Sequence, residues 1–329
     1  MLALVEITHW HWIGFIACVL VFLALDLGVF HRQAHVVKFK EALAWTTVWF
    51  SLAMVFAGAL RMGRGREESL EFLTGYLIEL SLSMDNVFVI ALIFSYFRIP
   101  SEFQHRVLFW GIMGALVMRG VMIAAGAALI ERFQWTLYVF GLFLVFTGIK
   151  MMLVNDDGVE PEKNPVLRLT KKLFPVTTEL HGQRFTIRQA GRLVLTPLAL
   201  VLVLVETTDL IFALDSIPAI FAVTTKPFIV FTSNVFAILG LRSLYFVLAG
   251  AIGLFRYLKI GLSVVLVFIG VKMLLDPHTH AGEAAKYAWQ VKIPIGLSLT
   301  IVVAIILGSI LLSLWVARRE RRASASKAD

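Results

Sequence analysis

The chain has 329 residues, of which 59% are apolar and only 16% charged, where a soluble domain averages about 45–50% and about 25%. A mean hydropathy of +0.84 places it among integral membrane proteins, and a single cysteine, Cys18, excludes an internal disulfide framework and any Cys-rich metal site. The net charge of +8 does not point to nucleic acid, because the basic residues flank apolar segments, as membrane topology requires.

Nine segments are apolar and long enough to cross a bilayer: about 10–30, 42–60, 70–97, 105–130, 133–153, 193–222, 228–253, 258–275 and 291–316. The predicted fold class is all-α, a polytopic bundle of about nine transmembrane helices. The first segment follows MLALVEITHWHW, which has no basic stretch, so it reads as a retained helix rather than a cleaved signal. The loops are short except for 154–192. Arg32, Lys38 and Lys40 flank the first span. Lys163, Arg168, Lys171, Lys172, Arg184, Arg188 and Arg192 lie in or at the end of the long loop, and the tail from Arg318 is basic. With nine spans these fall on one side, which predicts an outside N-terminus and a cytoplasmic C-terminus. Arg61, Arg64 and Arg66 stand against that count. The expected organisation is an N-terminal hairpin (1–69), a three-helix unit (70–153), a cytoplasmic loop (154–192), a second three-helix unit (193–276), and a last span with its tail (277–329).

The two units resemble each other. LVFTGIKMML (144–153) and LVFIGVKMLL (266–275) are nearly one segment written twice. Upstream, GALVMRGVMI (114–123) aligns with AILGLRSLYF (237–246), pairing Arg119 with Arg242. With a gap, ELSLSMDN (79–86) aligns with DLIFALDS (209–216). A unit of three spans inverts its second copy, which predicts an inverted three-helix repeat with a site near the midplane.

The acidic spans carry the chemistry. A carboxylate at the centre of a membrane helix costs about 2.5–3.5 kcal/mol on insertion scales, yet these two spans hold Glu79, Asp85, Glu206, Asp209 and Asp215. On a straight helix Glu79, Ser83 and Asn86 share a face. Asp215 lies nine residues past Glu206, on the far side and about 13 Å along the axis. Straight helices would therefore divide the acids between two places; a single site would need broken ones, and Pro218 and the polar run Thr207–Asp209 favour distortion. Arg119 and Arg242 are expected as buried counter-ions, one for each repeat. Lys150 and Lys272 are expected to snorkel from span ends. Two arginines cannot neutralise five acids. The carboxylates with Asn86, Ser216, Thr207 and Thr208 form an all-oxygen donor set suited to a hard divalent cation, Mn²⁺, Mg²⁺ or Ca²⁺. The candidate metal residues are Glu79, Asp85, Asn86, Glu206, Asp209, Asp215 and Ser216. No nucleophile–base pair, phosphate loop or metal–histidine motif supports an enzyme, and no bound cofactor is expected.

ELSLSMDNVFV and VETTDLIFALDSIPAIFAVT resemble the two signature stretches of the TerC family of bacterial membrane proteins, as do FLTGYLIE, LYVFGLFLVFTGIKM, PFIVFTSNVFAILGLRSLYF and LVFIGVKMLL. The resemblance runs from the first span to the ninth. It implies a Mn²⁺ exporter of the bacterial cytoplasmic membrane, in a family tied by name to tellurite resistance, with Glu79, Asp85, Glu206, Asp209 and Asp215 as its intramembrane acids. Family members commonly have lysine directly after the first acid; here Leu80 stands there. Two other readings remain. Ca²⁺ is the cargo, or the protein is a membrane scaffold that helps metallate or assemble exported proteins, with the 154–192 loop as its docking element. The partners expected are the cation and the lipid bilayer.

Overall fold

The computed structural model describes residues 7–25, 38–153, 164–189, 191–248, 258–276, 291 and 293–325. Asp26, Arg32 and Lys163 lie outside the described residues, as does most of the segment joining the last two helices.

The described elements are α1 (His9–Leu25), α2 (Phe39–Gly63), α3 (Arg66–Tyr96), α4 (Ser101–Arg132), α5 (Thr136–Leu153), α6 (Pro165–Leu173), β1 (Thr186–Gln189), β2 (Arg192–Leu195), α7 (Pro197–Phe221), α8 (Pro227–Leu248), α9 (Leu258–Leu275) and α10 (Ile295–Ala325). Eight helices, α2–α5 and α7–α10, are long and apolar enough to span a membrane, and α1 is a shorter apolar helix. The molecule is a polytopic helical membrane protein. The exposed belt of Val117, Val121, Leu142, Phe146, Leu311 and Trp315 suits lipid, not water.

Between α5 and α7 the sequence showed only a polar loop, but the chain there forms structure. Asn164 caps α6, its Oδ1 accepting from the backbone N–H of Val166 (2.8 Å) and Leu167 (3.2 Å), with Pro165 at the first helical position. Strands β1 and β2 form an antiparallel hairpin. Its connection uses Gly191 at φ +76°, a conformation that favours glycine. Arg106 of α4 lies 5.4 Å from the centre of the Phe185 ring and ties the hairpin to the bundle.

Helices α3, α4, α7 and α8 pack around one centre, with α2 against α3 and α8. Helices α5 and α9, which carry the two like segments, pack on each other. A methyl group at Gly270 would lie 2.7 Å from the Gly141 carbonyl oxygen, and one at Gly148 would lie 2.8 Å from that of Ser263. These contacts run in opposite directions along the two helices, so the pair is antiparallel. Gly148 matches Gly270, and Gly141 matches Ser263, when LVFTGIKMML is laid on LVFIGVKMLL. Matched positions therefore exchange places across the seam.

The expected break in α7 is absent. The helix runs unbroken from Pro197 to Phe221 through Pro218. Pro218 sits in the last turn, where its carbonyl still accepts from the Ala222 N–H at 3.0 Å. The polar run is absorbed locally, since Thr207 donates to the Val203 carbonyl and Thr208 to that of Leu204. Such back-bonding satisfies a hydroxyl within its own helix. With α3 and α7 both continuous, the acids must separate, and they do.

Candidate cation site

Arg119, halfway along α4, is 1% exposed and is the hub of the polar centre. Its Nη2 donates to Asp209 Oδ1 at 2.8 Å and its Nε to Asp209 Oδ2 at 3.2 Å. The same guanidinium donates through Nη1 to Glu79 Oε1. One arginine thus joins an acid from α3 to an acid from α7. This departs from the expected one pair for each repeat, because α4 packs on α7 and α8 and the long Arg119 side chain reaches acids on both α7 and α3. Arg242 is also buried, and it lines a cavity with Asp209.

Further polar groups complete the centre. Asn86 Nδ2 donates to Asp209 Oδ1 at 3.2 Å. Ser216 Oγ and Asn234 Oδ1 each lie 3.4 Å from Arg119 Nη1, too long for good hydrogen bonds. Of the candidate residues, the structure brings together Glu79, Asn86, Asp209 and Ser216. Glu206, one turn before Asp209, is half-buried against Gly114 of α4: a methyl group there would sit 1.9 Å from Glu206 Oε1. Glu206 has no hydrogen bond or ion pair among the described residues. Asp215 is elsewhere, turned toward Thr147 and Lys150 of α5. Asp85 is half-buried and does not bond Arg119.

Two side chains behave differently from expectation or escaped it. Lys272 does not snorkel: it is 3% exposed, and its Nζ has no hydrogen-bond partner among the described residues, with Asp276 and Glu71 as its nearby charges. Asn234, fully buried in α8, was missed. Its signal was the polar triplet Thr232–Ser233–Asn234 inside an otherwise apolar span.

The centre leaves acceptors unused. Glu79 Oε2, Ser83 Oγ and Asn86 Oδ1 are buried without a hydrogen-bond partner. All three lie on one face of α3, roughly one turn apart, spread over about 10 Å. Buried polar atoms are seldom left unsatisfied, so this row of oxygens is suited to something that visits. Among the described residues, no three His, Cys, Asp or Glu side chains converge as a ready metal cage. The donors form a ladder rather than a closed shell.

Beside Asp209 lies a small pocket of about 20 Å³, lined by Ile90, Leu108, Gly111, Ala115, Val205 and Arg242, among others. It lies on the side of Asp209 nearer the α6 and hairpin segment. At the opposite end, Lys226 between α7 and α8 bridges Glu68 and Glu71 of α3, each at 3.2 Å. Thr224 donates to Glu71 at 2.9 Å, and Arg64 holds Glu68 at 2.7 Å.

Residues 64–321 match the TerC integral membrane protein family. The chain belongs to the TerC family. It is 52% identical over 318 residues to an uncharacterized membrane protein of Myxococcus xanthus, covering 97% of this chain and 95% of that one. It is 47% identical over 314 residues to a protein of Escherichia coli strain K12 named "Putative membrane-bound redox modulator Alx", covering 93% and 94%. A protein of Photorhabdus laumondii with the same name is 46% identical over 314 residues, with the same coverage. No solved structure matches the chain.

Proposed function

We propose that this TerC-family protein is a divalent-cation transporter that exports Mn²⁺ across the cytoplasmic membrane through its buried carboxylates. The observation that carries the reading is the row of unpartnered oxygens on α3, Glu79 Oε2, Ser83 Oγ and Asn86 Oδ1, beside the Glu79–Arg119–Asp209 cluster. Intramembrane acids that face a bundle interior mark ion pathways. An oxygen ladder offers a hard cation a foothold at each turn without the deep well of a closed cage. The antiparallel α5–α9 seam, where matched residues exchange places, supports an inverted repeat, and that architecture serves alternating access.

Export of a divalent ion against 100 mV, inside negative, costs about 4.6 kcal/mol at about 2.3 kcal/mol per charge. Exchange for two protons cancels that cost, and carboxylates that release a metal can take up protons in its place. The redox role in the names of the Alx relatives has no intramolecular dithiol to run through here, since the chain has one cysteine. If this protein shares that role, it does so through the ion it moves.

The test is Mn²⁺ flux in proteoliposomes, with and without a pH gradient. Flux accelerated by the gradient, and competed less by Ca²⁺ than by unlabelled Mn²⁺, is the expected result. Preference for Ca²⁺ would reassign the cargo. No flux of either ion from well-folded protein would favour the scaffold reading.

A further inference from the structure

Resting on the transport reading, we propose that the Arg119 guanidinium is a tethered stand-in for the transported cation. It holds Glu79 and Asp209 together in the empty site, and a divalent ion loads only as Arg119 releases Glu79.

The charges come first. Glu79, Asp209 and Glu206 would carry three negative charges when ionised, against the buried guanidiniums of Arg119 and of Arg242, which lines the pocket beside Asp209. With no cation present, two buried carboxylates facing each other without a counter-charge are strongly unfavourable, so an empty site needs a positive group of its own. Arg119, 1% exposed, supplies it.

The geometry then says which acid lets go. Asp209 is gripped by two guanidinium nitrogens, Nη2 at 2.8 Å and Nε at 3.2 Å, and is also held by Asn86. Glu79 is held by one guanidinium nitrogen, Nη1, with Ser216 beside it, and its Oε2 has no hydrogen-bond partner among the described residues. A bidentate, planar grip is the harder one to break. Glu79 is therefore the carboxylate that leaves.

The released nitrogen has somewhere to go. Ser216 Oγ and Asn234 Oδ1 both wait 3.4 Å from Nη1, near the distance of a hydrogen bond but not yet making a good one. A small rotation of the guanidinium, with its grip on Asp209 kept, closes the gap to the Asn234 carbonyl, while Ser216 stays beside Glu79. Glu79 then turns both oxygens toward the Ser83 side of α3, where Ser83 Oγ is also unpartnered. Asn234 becomes a positioning residue, whose carbonyl receives Nη1 while the ion is bound. The cation and the guanidinium share one carboxylate in turn.

The experiment uses the purified full-length protein in detergent. Binding of Mn²⁺ is read from loss of the electron-spin-resonance signal of free Mn²⁺, with thermal unfolding followed on the same samples. The variants are Arg119→Gln, which removes the internal competitor, and Asn234→Ala, which removes its resting place and leaves the ion pairs intact. Arg119→Gln is expected to bind Mn²⁺ about tenfold tighter or more, the order set by a charge-assisted hydrogen bond that no longer has to be given up. Asn234→Ala is expected to bind several-fold more weakly with its unfolding temperature little changed. A folded Arg119→Gln that binds no tighter than wild type overturns the proposal and makes Arg119 a fixed counter-ion. Should Arg119→Gln fail to fold, unchanged affinity in Asn234→Ala overturns it equally, and weakened affinity supports it. Folded wild type that binds no Mn²⁺ overturns the transport reading itself, and this proposal with it.

Discussion

The two ends of the α3–α4–α7–α8 core are built on opposite plans. Toward the α6 and hairpin segment, the approach to Asp209 is a cavity walled by small and apolar side chains, Gly111, Ala115 and Val205 among them. Toward the other end, the helices are tied by charge. Lys226 bridges Glu68 and Glu71, Thr224 adds a hydrogen bond, and Arg64 clamps Glu68. Below this latch the packing is tight: a methyl group at Gly75 would lie 2.8 Å from Ser233 Oγ, and Phe72, Ile220 and Phe221 are fully buried. The difference teaches how one polar centre faces two sides unequally. Small residues leave a little room on one side of the polar centre, and an ionic clasp with an apolar plug closes the other.

The largest effect is expected from filling the room. Ala115→Phe places a ring in the cavity beside Asp209, and Mn²⁺ flux in proteoliposomes should fall to the protein-free level. Ala115 is buried and the pocket is smaller than a phenyl ring, so the unfolding temperature should also fall, by an overpacking cost of about 1–3 kcal/mol. Retained flux would mean the cavity is not the approach.

A smaller effect is expected at the seam that joins the two like units. Gly270→Ala sets a methyl group 2.7 Å from the Gly141 carbonyl, where backbone and not a pliable side chain must yield. Overpacking of this kind costs about 1–3 kcal/mol, measurable by thermal unfolding in detergent. A neutral result would show that α5 and α9 slide freely and do not anchor the halves.

The smallest change in stability belongs to the latch. The Lys226 side chain is 41% exposed, so Lys226→Met should alter stability by about 1 kcal/mol or less. Access should change more. In a background with Cys18 replaced by serine, a cysteine at Ser233 should react faster with a water-soluble maleimide when Lys226 is methionine. Equal rates would show that the apolar plug, not the ion pair, closes that end.

The spans were legible because a bilayer demands about 20 apolar residues for each crossing, and α2–α5 and α7–α10 answer that demand. The acids Glu79 and Asp209, and Arg119 as their counter-ion, were legible because charge inside a membrane span is costly and must be matched. What composition could not reveal was partnership. Whether one arginine serves two acids depends on how α4 packs on α7 and α8 beside α3, which no local pattern records. Spacing placed Asp215 on the far side of a straight α7 from Glu206, and the unbroken helix turns it toward Thr147. Pro218 suggested a break because proline removes a backbone hydrogen bond, but α7 continues through it and ends only three residues later, at Phe221. The β1–β2 hairpin escaped notice because two four-residue strands carry almost no periodic signal, and only Gly191 hinted at the turn.

The account stands or falls on whether the Arg119-centred acids handle the ion. The direct measurement is manganese content of cells lacking their own exporters. They would express wild type, Glu79→Gln, Asp209→Asn or Asp215→Asn at matched membrane abundance. The expected result is that wild type lowers cell manganese, Glu79→Gln and Asp209→Asn do not, and Asp215→Asn retains a substantial part of the activity. Export by Glu79→Gln and Asp209→Asn equal to wild type would contradict the account and leave the cluster a structural knot.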